Sequence, residues 1–139
     1  MKFLKAARAA MFLALVTLMP GVLSAQSMKC LVGHLQGSYA VAASGSASSI
    51  GQITLIGVET FDGAGNTTVT ETASFNGFIV QTSISGTYTV NQDCTGSIVG
   101  KFPDGSIGHL SFVIADNAKT IYFMEADNVV NLSGVMTKL

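Results

Sequence analysis

From about residue 37 onward, apolar and polar positions alternate with a period of two. No window beyond the N-terminal apolar run shows a convincing 3.6-residue period. Thr, Val, Ile, Ser and Gly dominate, and turn-forming phrases recur at regular intervals. Examples are Asp62-Gly63-Ala64-Gly65-Asn66, Asn91-Gln92-Asp93, Pro103-Asp104-Gly105 and Asp127-Asn128. Asn76-Gly77 is a strong two-residue hairpin signal. The pattern predicts eight strands, at about 37–43, 51–61, 66–75, 78–90, 94–102, 106–115, 119–126 and 129–137, with the Gly/Ser/Ala-rich stretch 43–49 as the loosest loop.

Short connections favour pairing between successive strands, hence an antiparallel meander. Strands of this length would leave exposed edges in an open sheet, and closure removes them. The expected fold is therefore an all-β, eight-stranded antiparallel barrel, with a two-sheet β-sandwich as the alternative. A barrel of this size fills its interior with side chains or holds one small ligand.

Register follows from the same alternation. Ile53, Leu55, Gly57, Glu59 and Phe61 share one face, and Val69, Glu71, Ala73 and Phe75 share a face of the next strand. The other face of that strand, Thr68, Thr70, Thr72 and Ser74, is wholly polar. If the Asp62–Asn66 loop closes with Phe61 opposite Thr67, Glu59 faces Val69 and Glu71 faces Gly57, so the two carboxylates become diagonal neighbours. Glu125 follows Ile121 and Phe123 on one face of the seventh strand as a third candidate. Carboxylates inside an apolar barrel would have raised pKa values and could exchange a proton near neutrality. The competing expectation is solvent, with Glu59 at the barrel mouth, Glu71 turned outward through a bulge and Glu125 closing a strand.

An internal echo runs through the chain: Gly37-Ser-Tyr39 is matched by Gly86-Thr-Tyr88, and Phe61-Asp-Gly by Phe102-Pro-Asp-Gly. Gly-x-Tyr opening a meander and then repeated resembles the calycin barrels, the lipocalin and avidin group. It also resembles the barrel shared by allene oxide cyclases and dirigent proteins. Exported bacterial proteins with Phe-Asp-Gly and Gly-Thr-Tyr phrases are similar too. The tryptophans characteristic of lipocalins and avidins have no counterpart, because the chain contains no Trp. The resemblance therefore implies a fold and supplies no transferable active site.

The N-terminus changes the picture of where the protein works. Lys2, Lys5 and Arg8 precede an apolar run from Ala9 to Met19 and then small residues, the pattern of a secretory signal over residues 1–25. Residues 26–139 are then a single domain, secreted or periplasmic, with no membrane association after cleavage. That domain keeps four lysines, Lys29, Lys101, Lys119 and Lys138, against eight acidic residues, and has no arginine. This argues against nucleic acid, whose affinity comes from Lys and Arg neutralising phosphates, and favours an uncharged small molecule. The only cysteines, Cys30 and Cys94, are expected to pair in an oxidising compartment, tying the segment before the first strand to the middle of the barrel.

Other chemistry is thinly represented. His109 shares a face with Ser111, but alternate residues of one strand stand too far apart for a nucleophile and its base. His34 and His109 alone make a weak zinc set. The Asp62–Asn66 loop lacks the ligand count of a calcium site and reads as a plain hairpin turn. No cofactor or metal is implied. Tyr39, Tyr88, Tyr122 and Phe75 are candidate pocket-lining aromatics, and Glu71, Glu59 and His109 are candidate catalytic groups. Three functions remain open: a barrel binding a small, largely apolar ligand; a cyclase or isomerase using inward carboxylates; and a surface or matrix protein interacting through its Thr-rich face.

Overall fold

The computed structural model describes residues 29–139, so the secretory-signal reading of residues 1–25 lies outside it. Strands β1 (Gln36–Ala47), β2 (Gly51–Asp62), β3 (Asn66–Phe75) and β4 (Phe78–Val90) are followed by β5 (Thr95–Lys101), β6 (Ile107–Ala115), β7 (Thr120–Glu125) and β8 (Val130–Lys138). Each pairs antiparallel with its sequence neighbour, and β8 returns to β1, closing an eight-stranded barrel in meander order. The sandwich alternative is thereby excluded.

Alternation decides what lies inside. Along β2, Ile53, Leu55, Glu59 and Phe61 are buried and Gly57 half-buried, while Thr54, Ile56, Val58 and Thr60 are exposed. On β3, Thr68 and Thr70 face solvent while Thr67 and Ala73 are buried. The hairpin closes with Phe61 opposite Thr67, Glu59 opposite Val69 and Gly57 opposite Glu71, as the loop geometry predicts. That turn is built by Asp62, whose carboxylate accepts from the backbone N–H groups of Ala64 and Asn66 at 2.7 and 2.9 Å and from Asn66 Nδ2 at 2.7 Å.

The stretch 43–49 departs from expectation, because most of it is strand. β1 continues to Ala47 and is paired on both sides, with Ala43, Gly45 and Ala47 alternating toward the interior. Small residues here answer a close approach of backbones: a Cβ added at Gly45 would lie 1.8 Å from the Asn131 carbonyl oxygen. Composition that reads as a loop is, in this register, what lets β8 seal against β1.

One end of the barrel is closed by side chains. Leu35, Tyr39 and Phe61 are fully buried, and Phe61 sits between Tyr39 and Tyr88 with ring centroids 5.4 and 5.0 Å away, both edge-on. Each tyrosine hydroxyl ties down a segment that crosses this end. Tyr39 donates to the Ala118 carbonyl at 2.6 Å, and Tyr88 lies 2.9 Å from the Leu35 carbonyl and 3.1 Å from that of Val32. The echoed Gly-x-Tyr phrases thus do the same work from opposite sides of Phe61. A disulfide joins Cys30 to Cys94. It reaches the turn between β4 and β5 at this closed end rather than the barrel's middle, because β5 begins one residue after Cys94.

Candidate functional site

A cavity of about 110 Å³ lies inside the barrel. Its walls are mostly apolar, with Val41, Leu55, Ile98, Leu110, Phe123 and Met136 among the lining residues. It extends from Glu59 and Thr67, above the aromatic floor, to Phe102, Gly108 and Glu125 near the opposite end. Glu59, Glu71 and Glu125 all reach it.

Local geometry explains how three carboxyls share this wall. The β2–β3 ladder runs from Phe61–Thr67 to Ile53–Phe75 without a slip, so no bulge turns Glu71 outward. Glu59 is not in water at the mouth: only 4% of its surface is exposed, because it sits inward of the turn against the closed end. Gly57 makes room for the neighbouring carboxylate. A Cβ there would stand 2.5 Å from the Thr70 carbonyl oxygen and 2.9 Å from both Cα and Cβ of Glu71. Gly57→Ala is therefore expected to cost roughly 1–3 kcal/mol through forced backbone displacement, read as a lower urea midpoint. An unchanged midpoint would show that the strand yields freely.

The electrostatics follow from burial. Loss of hydration pushes the Glu59 carboxyl up to about 7; the Thr67 hydroxyl, donating to Oε1 at 2.8 Å, opposes the rise, and the Glu71 charge adds to it. Glu71 is likewise raised by burial. Glu125 is also pushed up to about 7, first by burial, then by a hydrogen bond shared with Asp127 and by the charge of that residue, with His109 pulling the other way. Asp127 is held below the usual carboxylate range by the backbone N–H and imidazole of His109, at 2.9 Å each, so a proton shared by the two carboxyls resides on Glu125.

The remaining sequence candidates fall elsewhere. His109 is on the outer face of β6, exposed and paired with Asp127, so it neither fills the core nor lines the cavity. Its parity, one off from Leu110 and Phe112, decides this. Tyr122 is 55% exposed, because Ile121 and Phe123 take the inward positions of β7. Tyr39 and Tyr88 form the floor below the cavity rather than its lining, their hydroxyls engaged with backbone, and Phe75 packs against the core. Sequence reasoning missed Thr67 and Asp127. Thr67 shares the parity of Val69 and Glu71, which signals its inward position. Asp127 belongs to a turn, where alternation carries no information.

Among the described residues, no group of three or more His, Cys, Asp or Glu side chains is arranged to hold a metal ion. No helix among them is long and apolar enough to cross a membrane.

The likeness to known proteins is architectural. The barrel superposes on a de novo designed fluorescence-activating β-barrel with a TM-score of 0.57 and 8% identity, over 78% of this chain and 96% of that one. It also matches a redesigned β-barrel, mFAP1, bound to DFHBI, with a TM-score of 0.55 and 14% identity, over 78% of this chain and 98% of that one. No family model and no curated protein matches the chain. At these identities the comparisons establish the eight-stranded barrel plan. The echoed tyrosines, placed in the floor, are a structural feature of that plan in this chain.

Proposed function

We propose that the protein is an exported barrel that binds one small, largely apolar molecule in its interior. The observation carrying this reading is the cavity of about 110 Å³, walled by aliphatic and aromatic side chains in an otherwise packed barrel. An apolar cavity of roughly 150 Å³ accommodates benzene, so a space of about 110 Å³ suits something smaller than a benzene ring, such as a short branched chain. The mFAP1 barrel, bound to DFHBI, provides a precedent for a small-molecule complex in this architecture. Export is supported by the Cys30–Cys94 bridge, which requires an oxidising compartment to persist, together with the charged and apolar pattern of residues 1–25.

Native mass spectrometry of the protein purified from its own host tests the reading. The expected result is a stoichiometric small molecule that is lost on denaturation. Leu110→Trp, which fills the cavity from β6, is expected to come out empty with an unchanged circular dichroism spectrum. A bare mass from the host, combined with no binding of four-carbon branched probes in vitro, would overturn the proposal.

Catalysis by proton transfer is the second reading, favoured by Glu59 and Glu71 influencing one another on the cavity wall. The outward position of His109 leaves the carboxyls to supply any acid and base themselves.

A further inference from the structure

The wall of the cavity contains more hydrogen-bond acceptors than donors. Among the described residues no lysine, arginine or histidine lines it, and the side-chain donors other than carboxyls are the hydroxyls of Thr67 and Ser85. The Thr67 hydroxyl is already engaged with Glu59 Oε1 and lies 3.0 Å from the Thr60 carbonyl. Glu59 is more than nine-tenths buried, yet its second oxygen receives no hydrogen bond from any described residue. Glu71 receives none at either oxygen. No side-chain oxygen is sealed away without a partner among the described residues, and both Glu59 and Glu71 line the cavity, so the space a ligand would fill adjoins their free oxygens. A ligand that fills this space must bring its own donors, or leave the acceptors dry at a cost of about 1–3 kcal/mol each.

We infer that the cavity takes a small apolar amine in its ammonium form, with the N–H groups directed at Glu71 and Glu59 and the hydrocarbon part against Leu55, Leu110 and Phe123. This rests on the binding reading above and names the class of ligand. An ammonium supplies several donors and a charge of the sign the wall lacks. A buried carboxylate is tolerated when paired and costly when alone. An anionic ligand would add a further negative charge to three carboxyls. A neutral apolar ligand would leave them held as acids, with their O–H groups facing a molecule that offers no acceptor.

The amine should also displace protons. Glu59 stands opposite Tyr39 on β1 and Val69 on β3, with Glu71 as its diagonal neighbour and Thr67 hydrogen-bonded to it, while Glu125 faces Asp127 and His109. Binding of a cation requires ionised carboxyls, so its affinity rises as the pH climbs through the range in which Glu59 and Glu125 lose their protons, about 7 for each.

The test is calorimetric titration of the full mature protein with isobutylamine, isobutanol and isobutyrate at pH 6 and pH 8. Isobutylamine is expected to bind at least about tenfold more tightly than isobutanol at pH 8, to weaken by about tenfold at pH 6 and to release protons on binding. Isobutyrate is expected not to bind. Glu71→Gln should reduce the isobutylamine-to-isobutanol ratio by about tenfold, and Glu59→Gln, expected to do the same, serves as the second variant should the first fail to fold. Equal or tighter binding of isobutanol overturns the amine assignment and leaves the binding barrel standing. If none of the three probes binds and the host-purified protein is empty, the binding reading fails and the amine inference fails with it.

Discussion

Glu59→Gln is expected to stabilise the barrel at pH 8 by roughly 2–3 kcal/mol and to flatten, without abolishing, the fall in stability between pH 5 and 7, the remainder belonging to Glu71 and Glu125. The carboxyl rises from 4.5 in the unfolded chain to about 7 in the barrel, because only 4% of the residue meets solvent. Between those values the unfolded state gives up its proton while the native state keeps it. Native stability from this group is therefore complete below about 4.5, declines as the pH rises to about 7, and stays constant above that. Glu71 and Glu125 act in the same direction.

Asp62, Asp93, Asp104 and Asp127 act in the opposite sense. Their depressed values contribute stability above 3.8 that is lost as the pH falls through their folded values. The parent protein should consequently be most stable in mild acid. Glutamine keeps the shape of the protonated acid and its contact with Thr67 while removing the ionisation. Urea unfolding from pH 4.5 to 8.5 measures the effect directly. If Glu59→Gln gave the parent's slope, the carboxyl would be titrating in water, and the buried placement would be wrong.

Removing the disulfide should cost more. The bridge joins residues 64 apart in sequence, and in the chain-entropy account a loop of that length contributes about 4 kcal/mol. Small domains hold only roughly 5–15 kcal/mol in total, so a Cys30→Ser, Cys94→Ser protein should unfold at a far lower urea concentration. The loss should be concentrated at the closed end. There Cys30 N–H donates to the Gln92 carbonyl at 3.1 Å, and Tyr88 holds the carbonyls of Val32 and Leu35. Hydrogen exchange should accelerate first over residues 30–35, while the ladder carrying Glu71 keeps its protection. A midpoint unchanged by the double substitution would show that Leu35 and Tyr88 alone secure the segment.

The carboxyl wall and the closed end were legible in the sequence to different degrees. The pairing of Glu59 and Glu71 across one hairpin could be worked out from loop length and alternation, because a tight turn fixes register and a two-residue period fixes face. The same parity places Thr67 inward and Tyr122 outward. Tyr122 is a candidate lining residue only if aromatic character outweighs its position between Ile121 and Phe123. The segment 43–49 misleads for a different reason. Gly, Ser and Ala carry loop propensity by themselves, and the close approach that makes them strand residues comes from β8, at the far end of the chain.

By itself the sequence determined the all-β class, the eight strands, their meander order and the β2–β3 register, since alternation and turn residues act over a few neighbours. It also determined the absence of arginine and the scarcity of cations after residue 25. Only the tertiary structure decided that Tyr39 and Tyr88 close the floor around Phe61 and that His109 lies outside against Asp127. Only it brought Glu125 of β7 to the same cavity as Glu59 and Glu71 of β2 and β3. Barrel closure sets which distant strands face one another across the interior, and the burial that closure creates holds protons on carboxyls that would ionise in the unfolded chain.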